Sequence, residues 1–169
     1  MEFEPRASVG DLLGTGKRLP ENALQSVLNA ALIYLDAAHQ NGIFHLELGP
    51  KQLILSADEE LVVCGFNVAR LRGPNLIEND AAYYFAPEHL HTAGRLGAWS
   101  DFYSLGTILC HGLHPRIPPS ADSRQAALQE GKVDPLVSPI ELGKGYYSEE
   151  FLSLIHISEP TRLGMISYA

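Results

Sequence analysis

The chain has 169 residues, 46% of them hydrophobic and 19% charged, which suits one domain with a buried core and excludes a disordered or collagen-like chain. Twelve Lys+Arg against twenty Asp+Glu give a formal charge of −8, so phosphates are repelled over most of the surface and neither a nucleic acid nor an anionic membrane is an expected partner. No apolar run is long enough to span a bilayer, and the acidic start MEFEPRASVG is not a signal peptide, so a cytoplasmic domain is expected.

Taken in chain order, residues 7–16 read as a short helix ending in glycine. The strongest helix signal follows from Pro20 to about Gln40. Pro20 and Glu21 suit a helix start, and Leu24, Val27, Leu28, Ala31, Leu32, Leu35 and Ala38 recur at three- and four-residue spacing. Asn41-Gly42 stops it. Two β-rich runs, Gln52–Leu55 and Leu61–Cys64, flank the polar turn of residues 56–60 and predict a hairpin. From Ala69 to about Gly97 periodicity is weak, which predicts a long ordered loop. An apolar helix with the pattern Phe102, Leu105, Ile108, Leu109 is predicted from Ser100 to about Leu113, stopping before Pro115. Residues 121–131 predict a short helix, residues 132–147 irregular chain, and Ser148-Glu149-Glu150 opens a last helix. From Ser153 the text SLIHISEPTRLGMISYA reads as translated sequencing-adaptor sequence. The native unit is therefore assigned to residues 1–152, and residues 153–169 are expected to add nothing to the core.

Four pieces recur in a fixed order: His45-Leu46-Glu47-Leu48-Gly49-Pro50-Lys51-Gln52, Cys64-Gly65-Phe66-Asn67, Tyr84-Phe85-Ala86-Pro87-Glu88, and Ser100-Asp101-Phe102-Tyr103-Ser104-Leu105-Gly106. Their order and spacing resemble the C-terminal lobe of a protein kinase of the bacterial serine/threonine type, whose signatures are H-R-D-L-x-x-x-N, D-F-G and A-P-E. The resemblance implies a mainly α (α+β) fold, a helical C-lobe with a small β-hairpin and no N-lobe. Met1–Glu4 would match the hinge strand between the lobes.

The resemblance also implies what each position would have to do. Phosphoryl transfer is mostly positioning and charge neutralisation. The base position holds Glu47, one methylene longer than aspartate, and a displacement of order 1 Å can cost roughly 10²-fold. Gly49 replaces the phosphate-facing lysine, and Lys51 lies two residues on. Gln52 replaces the metal-binding asparagine. Gly65 replaces the aspartate that is the main Mg²⁺ ligand, and Asn67 replaces the motif's glycine. Leu46 replaces the arginine that clamps a phosphorylated loop, Ala81 replaces a threonine, and Asp80 replaces the glycine before it.

Positions of structural type are kept. His45 and Phe66 match two buried spine residues. Ala86, Pro87, Glu88, Asp101 and Gly106 match the anchors of the activation segment and of the central helix, Asp101 as an acceptor for loop N–H groups. Glu88 is expected without its usual arginine partner.

Metal and phosphate positions are thus lost while anchors stay, the pattern of a pseudokinase acting as a binding or regulatory module with a protein partner. The alternative is an active serine/threonine kinase, cut short, that transfers the ATP γ-phosphate to protein Ser/Thr. No cofactor is expected for the chain itself; ATP and Mg²⁺ enter only if the parent is active.

Other features read as structural. Cys64 and Cys110 are small core residues and not redox or zinc sites. His89 and His91 are two apart and cannot share a helix face, His111 and His114 are a weak metal pair, and Arg70 and Arg72 make a solvated loop. No metal site is expected. Bare apolar surface near Met1–Phe3 and on the Ser100–Leu113 helix predicts non-specific association and no defined oligomer.

Overall fold

The computed structural model describes residues 7–55, 60–66, 81–90 and 95–158. Strand β1 (Ala7–Ser8) leads into helix α1 (Val9–Leu13), then α2 (Glu21–His39), a 3₁₀ turn (Pro50–Gln52), β2 (Leu53–Leu55) and β3 (Leu61–Val63). Two further 3₁₀ turns (Ala81–Tyr84 and Pro87–Leu90) precede α3 (Ala98–Leu113), α4 (Ala121–Gln129), α5 (Pro139–Gly143) and α6 (Glu149–Ser158).

The expected hairpin forms, with Leu53 opposite Val63 and Leu55 opposite Leu61. Leu53, Leu61 and Val63 turn inward. β1 adds a third antiparallel strand, Ala7 pairing with Leu55. The sequence places Ala7 and Ser8 in a helix, and the structure corrects this. Ser8 ends the strand and caps α1, its hydroxyl accepting from Asp11 N–H at 3.1 Å while the Asp11 carboxylate accepts from Ser8 N–H at 2.7 Å.

α2 buries Leu24, Val27, Leu28, Ala31 and Leu35, in line with their spacing, while Leu32 faces outward. α2 packs against β3 and α3. The close approach of α2 to α3 uses Gly112: a Cβ there would lie 2.4 Å from Leu24 Cδ2. Every residue of α3 from Tyr103 to Leu113 is buried, so the expectation of a bare helix is corrected. α5, α6 and the α2 side cover it, and only Trp99 and Phe102 of its large apolar residues are exposed. Phe102 thus lies outside the buried face assigned to it. Cys110 is buried and Cys64 half-buried, and neither forms a disulfide.

The irregular stretch 132–147 contains α5, capped by the Ser138 hydroxyl. The start of α6 is tied to that of α2: Ser148 donates its N–H (2.7 Å) and hydroxyl (2.6 Å) to the Glu21 carboxylate. α6 continues beyond Leu152, and Ile155 is 0% exposed beside Phe151 and Leu152 in the main core. The expectation that nothing after Leu152 packs is therefore corrected. Phe151, Leu152 and Ile155 fall at i, i+1 and i+4, one helix face, whatever the origin of the text. Ile155→Ala should lower stability by about 2 kcal/mol in urea unfolding, the low end for a buried isoleucine because the site is near the end of its helix. Leu154→Ala, at a half-exposed position, should change little. Equal small effects would mean that Ile155 contributes no core contact.

The expectations for Met1–Glu4, Asn67, Arg70, Arg72, Asp80, His91 and residues 159–169 fall outside the described residues.

Candidate functional site

The four motif pieces converge around the loop between α2 and the Pro50–Gln52 turn. Asp101, in the first turn of α3 and 1% exposed, is the hub. Its Oδ2 accepts from His45 N–H at 2.8 Å, its Oδ1 from Leu46 N–H at 2.7 Å, and His39 Nε2 lies 2.8 Å from Oδ2. The expected role of Asp101 as acceptor for loop N–H groups is thus seen directly. Two bonds to one carboxylate fix consecutive residues, and Leu46 is held at φ +66°, left-handed backbone that leucine seldom adopts.

His45 is 1% exposed. Its Nε2 donates to the Cys64 carbonyl at 2.8 Å, joining the loop to the end of the hairpin. Its Nδ1 is buried without a partner among the described residues. The ring lies against Phe66, centroids 4.9 Å apart. Phe66 is only half-buried, so of the two expected spine residues His45 alone is fully enclosed.

Glu47 follows Leu46 and is half-buried. Gly49 N–H donates to Gln52 Oε1 at 3.0 Å, and Gln52 N–H donates to the Gly49 carbonyl at 3.1 Å. The Gln52 amide oxygen thus helps to close its own turn, with one lone pair taken. Gly65 stands next to it: a Cβ there would lie 3.4 Å from Gln52 Cγ and 3.7 Å from His45 Nε2. Gly65 has φ +88°, a conformation that costs glycine nothing. Positions 52 and 65 are thus brought together, as the motif order implied, and Lys51, in the same turn, is exposed.

The Ala86-Pro87-Glu88 segment sits against α3. Glu88 is buried, and Ser100 donates its hydroxyl to Glu88 Oε1. Glu88 is therefore not without a partner: Ser100 on α3 binds it, a contact that the sequence does not indicate. Ala86 and Gly106 are buried and Pro87 is half-buried. The Tyr84 hydroxyl and His111 Nδ1 share a hydrogen bond of 2.8 Å. Burial holds His111 below the ordinary histidine range. This pair lines a cleft of about 210 Å³ with Gly49, Pro50, Lys51, Gln52 and the α1 residues Gly10 and Leu13.

Sequence reading missed His39 and His89. Neither belongs to a motif named above, and a histidine that bonds a residue 62 positions away leaves no local signal. His89 reaches the Leu46 carbonyl from the Ala86–Glu88 segment, Nε2 to oxygen 2.6 Å. Among the described residues no group of three or more His, Cys, Asp or Glu could hold a metal ion, and no helix is long and apolar enough to cross a membrane.

A family model of the protein kinase domain matches residues 1–159. The serine/threonine-protein kinase PknB of Mycobacterium tuberculosis is 30% identical over 145 residues, covering 80% of this chain and 23% of that protein. The mitogen-activated protein kinase mpkC of Emericella nidulans is 33% identical over 113 residues, covering 62% of this chain and 27% of that protein. A solved Map kinase from Leishmania major superimposes with a TM-score of 0.70 at 14% identity, covering 92% of this chain and 56% of that one; it bears on the fold. The chain spans about a quarter of the length of the curated relatives it matches.

Proposed function

The chain belongs to the protein kinase domain family, and from that premise we propose that it is the C-lobe part of a pseudokinase, a binding or regulatory module for a protein partner. One observation carries the reading. Where the family places the aspartate that holds Mg²⁺, this chain has Gly65, and the neighbouring Gln52 oxygen is engaged by Gly49 N–H. Mg²⁺ demands near-octahedral oxygen ligation; position 65 offers it no side-chain oxygen, and the Gln52 oxygen already accepts one N–H. The residues present do not fit the Mg²⁺–ATP that the family implies. The loop's architecture, by contrast, rests on Asp101, His45 and Glu88, which need no ligand to serve as anchors.

A second reading, an active serine/threonine kinase, is favoured by Glu47, a half-buried carboxylate at the base position, and by the names of the relatives. ATP binding separates the two. A carboxylate and an ammonium are lost at positions 65 and 49, and each charge-assisted contact is worth about 1.5–3 kcal/mol, so affinity should fall by roughly 10²–10⁴-fold. We expect ATP to bind no more tightly than about millimolar, with or without Mg²⁺, both to this chain and to the longest product of its reading frame. Micromolar, Mg²⁺-dependent binding by that product, with phosphate transfer abolished by Glu47→Ala, would establish the active kinase instead.

A further inference from the structure

The cleft of about 210 Å³ lies where α1, the Pro50–Gln52 turn, Tyr84 and α3 meet. Its walls are largely apolar. Leu13, Pro50 and Tyr84 are buried, whereas Ile117 is 50% exposed. Gly10 lets α1 close on the turn, since a Cβ there would lie 3.0 Å from Lys51 Cγ. Tyr84 and His111 already share a hydrogen bond, and the Gln52 oxygen accepts from Gly49 N–H. Among the described residues that line the cleft none carries a carboxylate, while Lys51 adds a cation.

Size and charge together select an occupant. A cavity of roughly 150 Å³ with aliphatic walls accepts a benzene ring, so this cleft admits one large apolar side chain. Sites for drug-sized ligands begin near roughly 300 Å³, so a whole nucleotide is too large. A lysine or arginine would bring a second cation to Lys51, with no lining carboxylate to meet it, and would lose hydration against apolar walls. A carboxylate gains little, because Lys51 is exposed and its charge is screened by water. An uncharged aliphatic or aromatic side chain loses nothing on entry and gains the burial of its own surface. We infer that this cleft is the docking site for the protein partner, taking from it one uncharged side chain of leucine to phenylalanine size and rejecting lysine and arginine. The inference rests on the reading of the chain as a binding module, and it adds the site and the chemistry.

The probe is a positional-scanning library of short synthetic peptides. It is added without nucleotide to the full 169-residue chain, labelled at its leucine and isoleucine methyl groups. One peptide position should select Leu, Met or Phe, and lysine there should weaken binding roughly 10–100-fold, the worth of burying one such side chain. The selected peptides should shift the Leu13 and Ile117 methyl signals. Ile117→Glu puts a carboxylate on the half-exposed wall and should turn the preference toward lysine. Selection of Lys or Arg by the wild-type chain, no selection at any position, methyl signals of Leu13 and Ile117 that stay unmoved, or an unchanged preference in a folded Ile117→Glu would each overturn the inference. So would shifts of those methyls that follow protein concentration with no peptide present, because the occupant would then be a second copy of the chain. If Ile117→Glu does not fold, the wild-type selectivity and methyl shifts decide. Lysine selection by a chain that binds no ATP would remove the cleft's assigned chemistry alone. Micromolar, Mg²⁺-dependent ATP binding would remove the binding-module reading, while a leucine preference measured without nucleotide would still describe the cleft.

Discussion

Replacing Asp101 with alanine should destabilise the protein by about 3–5 kcal/mol, the range for removing one partner of a buried, hydrogen-bonded charge. The carboxylate is almost wholly enclosed and serves three donors: two consecutive backbone N–H groups, of His45 and Leu46, and the His39 ring. Alanine leaves the two amides without an acceptor, each at a cost of about 1–3 kcal/mol. It also frees Leu46 from one of the two bonds that hold its left-handed backbone. For a chain of this size the loss corresponds to a fall in Tm of roughly 6–20 °C. Asp101→Asn keeps one acceptor oxygen and should cost less. Hydrogen exchange at the His45 and Leu46 amides should accelerate more than global stability predicts, because the damage is centred on the loop. A fall below about 1 kcal/mol would mean that water replaces the carboxylate, and that Asp101 does not set the loop.

How much of this was legible in sequence depends on where the forces act. α2 and α3 were readable because burial of one face writes a 3.6-residue period into the chain, and the hairpin because two β-rich runs bracket a polar turn. The role of Asp101 was readable through family resemblance, and the structure places it on the expected amides. β1 was not readable: two residues pair with the hairpin edge through backbone bonds that almost any side chain permits. α5 was hidden because five residues are too few to show a period. The helix after Leu152 packs whatever the origin of its text, because Ile155 continues the apolar face of Phe151 and Leu152. At the site, the residue identities at positions 47, 49, 52 and 65 were plain. That Gln52 turns its oxygen back onto Gly49, and that His89 reaches Leu46, required the third dimension. Such bonds join residues by side-chain direction, which spacing along the chain does not encode.

Arg124 is the other position whose weight the sequence concealed. It lies in a short polar helix, α4, of the kind that normally shows its charges to water, yet it is 2% exposed. Its guanidinium donates to Asp134 at 3.0 and 2.8 Å and to the Tyr103 hydroxyl at 3.1 Å, bridging α4 to α3. Arg124→Ala should cost about 3 kcal/mol, combining a lost buried side chain with a broken ion pair, moderated because Asp134 reaches solvent and can rehydrate. The loss should also depend on pH in a definite direction. Burial alone would raise the Asp134 carboxyl, but the hydrogen bonds from Arg124 and from Leu136 N–H outweigh it and hold the group below its ordinary value of 3.8. A carboxyl depressed by folding contributes stability that is fully present above 3.8 and is lost as pH falls through the lower folded value. The gap between wild type and Arg124→Ala should therefore be widest near neutral pH and narrow in acid below that value. Urea unfolding of both proteins across this range measures the gap. A constant gap would place Arg124's whole contribution in packing and none in its hold on Asp134.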